Sequence, residues 1–207
     1  MRSLKPEPDS ETFPKLRQRM LFLMLFVTGL RISEVQQLQV YHVEKLFLSK
    51  QPSLRVYIKK QRKYHHAFLS KEGLDLMLAH RPMFKKLKRY LTEKDAFLFC
   101  DKTKQNTVLN RDYLNREANT TLKHVLVRKY KDDKFTSHSF RRGLIENLWL
   151  VTGDLEFVCQ FIGHEKIATT HGYITKSTGV LKRSMDRHGL TPNSDSDNDS
   201  SKSKDFT

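Results

Sequence analysis

A histidine and an arginine stand three positions apart at a predicted helix start, in the segment His138-Ser139-Phe140-Arg141. Positions i and i+3 lie on one face of a helix, so the imidazole and the guanidinium point to the same place. The free amide groups at a helix start also favour an anion. The pair therefore indicates an anion site, with a solvated basic helix start as the alternative interpretation.

Three further elements extend this pair into a longer pattern. They are Arg31 within Thr28-Gly29-Leu30-Arg31-Ile32-Ser33-Glu34, the pair Gly163-His164, and Tyr173 nine residues after His164. In order and spacing, the whole set resembles the catalytic signature of phage-integrase-type tyrosine recombinases. The resemblance covers nearly all of residues 10–175. It implies a site-specific DNA recombinase or integrase, an enzyme that cleaves and rejoins DNA strands.

The resemblance implies chemistry in which a tyrosine breaks the DNA phosphodiester bond. Rejoining the strand without an energy source requires a covalent intermediate that keeps the bond energy, and a phenolate that attacks phosphorus forms such a link. Tyr173 is the implied nucleophile, giving a 3′-phosphotyrosine. Arg31 and Arg141 are expected to hold the non-bridging oxygens, because fork-shaped guanidiniums match the negative charge that gathers there. No cofactor, metal ion or ATP is implied.

The proton transfers are assigned through the same resemblance. A phenol with a pKa near ~10 must lose its proton as it attacks, and His138 is expected to help accept it. His164 is expected to donate a hydrogen bond to a phosphate oxygen. In this family a hairpin lysine supplies a proton to the leaving 5′ oxygen. Lys60 matches that lysine best, counting back from the end of the return strand, and Lys59 and Lys63 are the alternatives.

Three positions next to the arginines add to the pattern or depart from it. Glu34 is expected to support Arg31, the alternative being an ordinary carboxylate in the first turn of a helix. Arg142 stands where the family commonly has a histidine, and Gly143 follows where a helix-forming residue is usual. These two departures concern the local helix geometry more than the catalytic roles.

Helices are predicted around these residues from apolar periodicity and from signals that start or end a helix. A central core helix begins near Glu11 and ends at Thr28-Gly29, and a second helix spans 33–40, which places Arg31 at their junction. Other helices are predicted at 71–80 after the N-cap Ser70, at 111–128, and at 139–152, 154–162 and 166–174. Gly153 and Gly163 are expected to end two of them.

Residues 43–69 alternate apolar and polar side chains with the period of a β-strand. Strands are predicted at 43–48, 54–58 and 67–69, with a basic hairpin tip at 59–66. An exposed basic hairpin fits a nucleic-acid groove, so Lys59, Arg62 and Lys63 are expected to bind DNA, together with Arg142. The predicted fold class is α+β, mainly α: a helical tyrosine-recombinase catalytic domain with a small three-stranded antiparallel sheet.

Composition and charge agree with a nucleic-acid partner. The 207 residues carry 38 Lys and Arg against 23 Asp and Glu, a net charge of +15 that indicates a polyanion. The longest apolar run, residues 20–27, is far shorter than the roughly 20 residues of a membrane span. Two cysteines and nine histidines show no metal-site spacing. We expect double-stranded DNA as the partner, with no membrane, no small-molecule substrate and no metal.

The chain is predicted to comprise a lead-in at 1–10, one catalytic domain at 11–190 and a disordered Ser- and Asp-rich tail at 191–207. No secretory signal is recognised, which favours the cytoplasm or nucleoid, or an organelle such as a plastid or mitochondrion. The resemblance implies that 178–188 docks on a neighbouring protomer in a homotetramer on DNA. A helix folded back on its own domain is the alternative. The family normally carries a DNA-clamping helical domain ahead of this one.

Two other functions fit the same residues. A type IB topoisomerase or a telomere resolvase would use the same strand cleavage, and a four-fold assembly on defined sites separates a recombinase from both. A DNA-binding protein built on an inactive recombinase fold is of another class. The presence of every expected catalytic residue type argues against that protein.

Overall fold

The fold is organised around one buried helix, α1, which spans Phe13–Thr28. A computed structural model describes residues 12–48, 53–58, 62–126 and 135–174. Pro14 stands in the first turn of α1, where its missing N–H costs no hydrogen bond. Gly29 ends the helix in the left-handed conformation, with its N–H donating to the Leu25 carbonyl at 3.1 Å. The predicted core helix and its end at Thr28-Gly29 are confirmed.

The chain after α1 differs from the prediction. A short helix α2 spans Ile32–Val35 and a separate helix α3 spans Val40–Leu48, so no single helix covers 33–40 and no strand covers 43–48. The buried side chains of α3 are Val40, Val43 and Leu46, three residues apart, whereas Leu48 is 80% exposed. That spacing is the period of a helix face, and the apparent alternation at 43–48 was misleading.

The structure therefore replaces the predicted three-stranded sheet with two small ones in the described residues. Strand β1 (Ser53–Ile58) pairs antiparallel with β2 (Lys63–Phe68), and β3 (Cys100–Asp101) pairs antiparallel with β4 (Lys104–Val108). In the first hairpin, Leu54 pairs with Ala67 and Val56 with His65. Because side chains alternate along a strand, His65 shares the inward face of β2 with Ala67.

The remaining helices are α4 (Lys71–Ala79), α5 (Arg81–Lys88), α6 (Arg111–Leu126), α7 (Ser137–Thr152), α8 (Leu155–Ile162) and α9 (Ile167–Ile174). Five of these six were predicted to within two residues at each described end, and α5 was not predicted. Ser70 caps α4 by accepting from the Gly73 N–H, and Asp154 caps α8 by accepting from the Phe157 N–H. None of the helices in the described ranges combines the length and apolar character needed to cross a membrane.

Two apolar clusters hold these elements together. The larger one surrounds α1, which packs against α4, α5, α6 and α7. The smaller one joins α7 and α8 through the buried side chains of Ile145, Val158 and Ile162, and Tyr173 and Ile174 of α9 pack against it. The end of α1 and the end of α8 therefore approach the same face of α7, and the residues singled out from the sequence lie at this meeting point.

The lead-in at 1–10, the tail at 191–207 and the segment 178–188 lie outside the described residues, as do Lys59 and Lys60.

Candidate active site

Arg31 lies at the junction between α1 and α2, as predicted, and is held there by Glu34. The Arg31 Nη1 donates to Glu34 Oε1 at 2.8 Å, and the Arg31 backbone N–H donates to Glu34 Oε2 at the same distance. The Glu34 side chain is 5% exposed, whereas that of Arg31 is 33% exposed. The carboxylate is thus fixed inside the protein and holds a guanidinium that still reaches the surface.

Arg141 is the most deeply buried charge of the site. It extends from α7, with Nη1 donating to the Gly29 carbonyl and Nη2 to the Ile162 carbonyl, each at 2.9 Å. Burial lowers its pKa to about 10, with Arg31 lowering it further and Glu34 opposing the shift, so the guanidinium stays charged at neutral pH. Its Nε–H has no hydrogen-bond partner in the described part of the chain. One side chain thereby bridges the ends of α1 and α8 and keeps a donor free.

His164 follows the glycine that ends α8 and is fixed by short contacts on one side. Its Nδ1 lies 2.8 Å from the Thr170 hydroxyl oxygen, and its carbonyl accepts from the Cys159 thiol at 3.2 Å. Burial, then Arg141, Arg31 and His65, lowers the pKa of His164 to about 3, so the ring is neutral at physiological pH. When the Thr170 hydroxyl donates its proton to Nδ1, the single proton of the neutral His164 ring lies on Nε2. That Nε2 is buried and has no partner among the described residues.

Tyr173 lies on α9 beside His164 and Arg141. Its ring is stacked on that of His164, with centroids 5.8 Å apart and planes inclined by 15°. The Tyr173 hydroxyl is close enough to act on the Arg141 pKa, which its negative charge would raise. A cavity of about 390 Å³ opens beside Tyr173 and is lined on its other sides by Arg142, Ala168, Thr169 and Gly172. The phenol therefore faces both an arginine and open space.

His138 is not brought into this group by any recorded contact. It lies in the first turn of α7, is exposed, and its side chain makes no hydrogen bond to another described residue. Arg141, one turn later, is 2% exposed. The two side chains therefore lie along one stretch of helix but differ in depth, which spacing in the sequence does not reveal.

The basic residues predicted to touch DNA are exposed where the structure describes them. Arg62 stands in the hairpin turn with φ +50°, and Lys63 Nζ pairs with Glu165 Oε1 at 3.2 Å. Arg142 Nε donates to Glu146 at 2.8 Å, one turn along α7. Helix α7 runs without interruption from Ser137 to Thr152, so Arg142 and Gly143 leave the local helix regular.

The sequence analysis missed two residues of the site. Thr170 orients His164 through the contact between its hydroxyl and Nδ1. It follows His164 by six residues, and no motif in the sequence marks it as part of the site. His65, on β2, lies so close to Gly163 that a Cβ on this glycine would stand 2.7 Å from the His65 ring. Burial lowers the pKa of His65, and both Glu34 and Arg141 also act on it. The alternation of side chains along β2 predicts that His65 points inward, but it does not predict that His65 contacts Gly163.

The fold and site together define a helical domain that gathers two arginines, a neutral histidine and a tyrosine around free hydrogen-bond donors. The phage integrase family matches residues 7–179. The chain belongs to this family, and the resemblance inferred from the motifs is confirmed. In the described residues, no group of three or more His, Cys, Asp or Glu side chains is placed to hold a metal ion.

Individual relatives agree with the family. The tyrosine recombinase XerA of Pyrococcus furiosus is 24% identical in an alignment of 185 residues, and the match covers 86% of this chain and 57% of that protein. The XerH site-specific recombinase, solved after cleavage of a palindromic difH substrate, matches with a TM-score of 0.64 and 19% identity, covering 91% of this chain and 50% of that one.

A transposon enzyme has the same fold. The Tn1549 transposon integrase, solved with transposon right-end DNA, matches with a TM-score of 0.53 and 13% identity over 86% of this chain and 60% of that one. The chain thus spans between 50% and 60% of the length of the relatives described here. The predicted fold class, α+β and mainly α, is confirmed by these structures, while the predicted three-stranded sheet is replaced by two small antiparallel ones.

Proposed function

We propose that this protein is a site-specific DNA recombinase that breaks and rejoins double-stranded DNA through a 3′-phosphotyrosine, without a metal ion or ATP. The observation that carries the proposal is the pair of unpartnered buried donors, Arg141 Nε and His164 Nε2. A buried donor without an acceptor costs about 1–3 kcal/mol. Two such donors beside one tyrosine fit a phosphate that supplies the missing acceptors.

The geometry supports the proposed roles of the arginines and of His164. Arg31 and Arg141 hold the non-bridging oxygens of the phosphate, where negative charge builds up in the five-coordinate transition state. His164 is neutral and donates from Nε2 to one of these oxygens. Because backbone carbonyls, Glu34 and Thr170 already fix these groups, little reorganisation is needed when DNA binds.

Tyr173 is the nucleophile in this proposal. Its oxygen forms a bond to phosphorus as the bond from phosphorus to the 5′ oxygen breaks, and the energy of the broken ester is kept in the phosphotyrosine. The cavity beside Tyr173 leaves room for the DNA strand. The phenolic proton passes to His138, which is exposed at the start of α7 and meets its partner when DNA is bound.

The leaving 5′ oxygen takes a proton from a lysine of the β1–β2 hairpin, with Lys60 as the assigned donor. Lys59 and Lys63 are the alternatives, and Lys63 Nζ pairs with Glu165 Oε1 at 3.2 Å. A substrate with sulfur in place of the 5′ oxygen leaves without a proton, so it should restore cleavage by Lys60→Ala. Rescue of Lys59→Ala or Lys63→Ala in its place would move the proton donor to that residue.

The DNA partner is supported by the net charge of +15 and by two solved relatives, XerH bound to its difH substrate and the Tn1549 integrase in complex with transposon right-end DNA. Arg62, Lys63 and Arg142 contact phosphates, so binding should weaken steeply with salt. On DNA the protein forms a homotetramer through residues 178–188, in a cytoplasm, nucleoid or organelle that holds the target DNA. Analytical ultracentrifugation with DNA, with and without residues 178–207, tests that assembly, and equal association of both chains would rule out the docking role.

The neighbouring arginines of α7 offer a matched test of the proposed site. Arg141→Ala should lower the rate of strand cleavage by roughly 10²-fold or more with little loss of DNA affinity, because it removes charge stabilisation in the transition state. Arg142→Ala should chiefly lower the affinity for DNA and make that affinity less dependent on salt concentration. The substrate for these assays is identified first: the protein is incubated with a randomised DNA library, and the duplex sequence that becomes covalently attached to it is recovered and used. Unchanged cleavage by Arg141→Ala would contradict the assignment.

A further assay separates the recombinase from strand-relaxing and hairpin-forming enzymes of the same chemistry. Two duplexes of different length that carry the recovered site should yield recombinant products of intermediate length. Relaxation of supercoiled plasmid without such products would indicate the topoisomerase alternative, and closed hairpin ends would indicate the telomere resolvase.

A further inference from the structure

The β1–β2 hairpin rests on the turn that carries His164, and three side chains of β2 make the contact. Phe68 and Phe161 rings lie with centroids 6.2 Å apart, and Lys63 Nζ pairs with Glu165 Oε1 at 3.2 Å. Between them, the His65 ring covers Gly163. Side chains from both faces of β2 therefore contact α8 and the turn that follows it.

The contact between His65 and Gly163 depends on the missing side chain of the glycine. Gly163 has φ +73°, and a Cβ built on it would lie 2.7 Å from Cε1 and Nδ1 of His65 and 2.8 Å from Cγ. Real Cβ atoms do not approach other heavy atoms that closely. The ring therefore lies flat against the backbone immediately before His164.

His65 is surrounded by the groups of the candidate active site but is bonded to none of them. Glu34 and Arg141 are near enough to act on its pKa, and His65 acts in turn on that of His164. No hydrogen bond joins the His65 side chain to another described residue. Because its side chain has no hydrogen bond in the described residues, we assign His65 a role in packing and not in proton transfer.

A two-stranded hairpin is marginally stable by itself and needs packing against a neighbour. In this hairpin, β1 packs on α2 and α3, whereas β2 packs on α8. His65 is the side chain of β2 that contacts the backbone of the catalytic turn. Loss of its ring would loosen the return strand on this turn, while the contacts of β1 with α2 and α3 would remain.

We propose that His65 is a positioning residue, which docks the β1–β2 hairpin on the Gly163–His164 turn and so places the hairpin's proton donor at the leaving 5′ oxygen. This inference rests on the proposed function. A displacement of about 1 Å in a reacting group can cost on the order of 10²-fold in rate. His65→Ala should therefore slow cleavage of a substrate whose leaving oxygen must be protonated, and should spare a substrate whose leaving group needs no proton.

The experiment compares single-turnover cleavage of two duplexes of the recovered sequence, one with the 5′ oxygen and one with 5′ sulfur at the scissile phosphate. For His65→Ala we expect a fall of about 10²-fold on the oxygen substrate and a rate within about 3-fold of wild type on the sulfur substrate. His66→Ala is the matched control, because the exposed His66 ring lies next to Phe68, whereas the ring that covers Gly163 is that of His65. It should leave both rates near those of wild type.

Three results would overturn the positioning role. They are an unchanged rate for His65→Ala on the oxygen substrate, an equal loss on both substrates, and equal losses for His65→Ala and His66→Ala. The proposed function fails separately, when Tyr173→Phe still forms the covalent adduct or when wild type forms none. For that case, nuclear Overhauser effects between the His65 ring and the Gly163 α protons test the docking without any cleavage, and their absence would refute it.

Discussion

Gly163→Ala provides a test of the site's packing that needs no DNA. An alanine at φ +73° is strained by about 1–2 kcal/mol, because its Cβ crowds its own backbone in the left-handed region. The new Cβ would also stand 2.7 Å from the His65 ring. Forcing a packed ring aside costs a further ~1–3 kcal/mol. We expect Gly163→Ala to lower the free energy of unfolding by about 2–5 kcal/mol, the sum of these two costs.

The chain supplies its own control for the backbone part of that cost. Gly153 ends α7 with φ +67°, and a Cβ there would meet nothing within 4 Å. Gly153→Ala should therefore lower the free energy of unfolding by about 1–2 kcal/mol, the backbone strain alone. In a His65→Ala background, the cost of Gly163→Ala should fall to that of Gly153→Ala, a coupling of about 1–3 kcal/mol between residues 65 and 163.

The assay is urea unfolding followed by circular dichroism, with the free energy and the m-value fitted for each variant. Equal m-values are needed for the five free energies, those of wild type, the three single variants and the double variant, to be compared. The account is refuted if Gly163→Ala and Gly153→Ala cost the same in the wild-type background. It is also refuted if the excess cost of Gly163→Ala persists after His65 is removed.

Two further predictions concern charge in the site. Glu34→Gln removes the carboxylate that pairs with Arg31 at 2.8 Å. The rate of cleavage should fall about 10-fold, because one charge-assisted hydrogen bond is lost, while the DNA affinity measured by gel-shift titration should not change. Cleavage at the wild-type rate would contradict the supporting role of Glu34. For His164, the folded-state pKa of about 3 lies below the ordinary 6.5, so its stabilising contribution is complete above pH 6.5 and is lost as the pH falls towards 3. His164→Asn should flatten this part of the unfolding free-energy curve, and an unchanged slope would contradict the shift.

The parts of the fold set by local signals could be predicted from the sequence. Gly153 and Gly163 end their helices with positive φ, and Ser70 and Asp154 accept hydrogen bonds at helix starts, because each of these effects acts within a few residues. Segment 43–48 was predicted wrongly as a strand. Its apolar residues fit two periods, and the packing of Val43 and Leu46 into the core favours the helix.

The site was predictable as a set of residue types but not as an arrangement. Order and spacing brought Arg31, Arg141, His164 and Tyr173 together in the resemblance, and the structure places these four side by side. Nothing in the sequence shows that Arg141 would bond to the carbonyls of Gly29 and Ile162, which are 112 and 21 residues away. The contact of His65 with Gly163 is non-local in the same way, since it depends on how β2 meets the end of α8.

The central claim is that Tyr173 forms a covalent bond to DNA. The most direct measurement incubates the wild-type protein and Tyr173→Phe with labelled fragments of host DNA in the absence of divalent metal, and then denatures the mixture and looks for label attached to protein. The account predicts an adduct with the wild-type protein and none with Tyr173→Phe, although both bind DNA equally. An adduct that persists in Tyr173→Phe, or none in either protein, would contradict it.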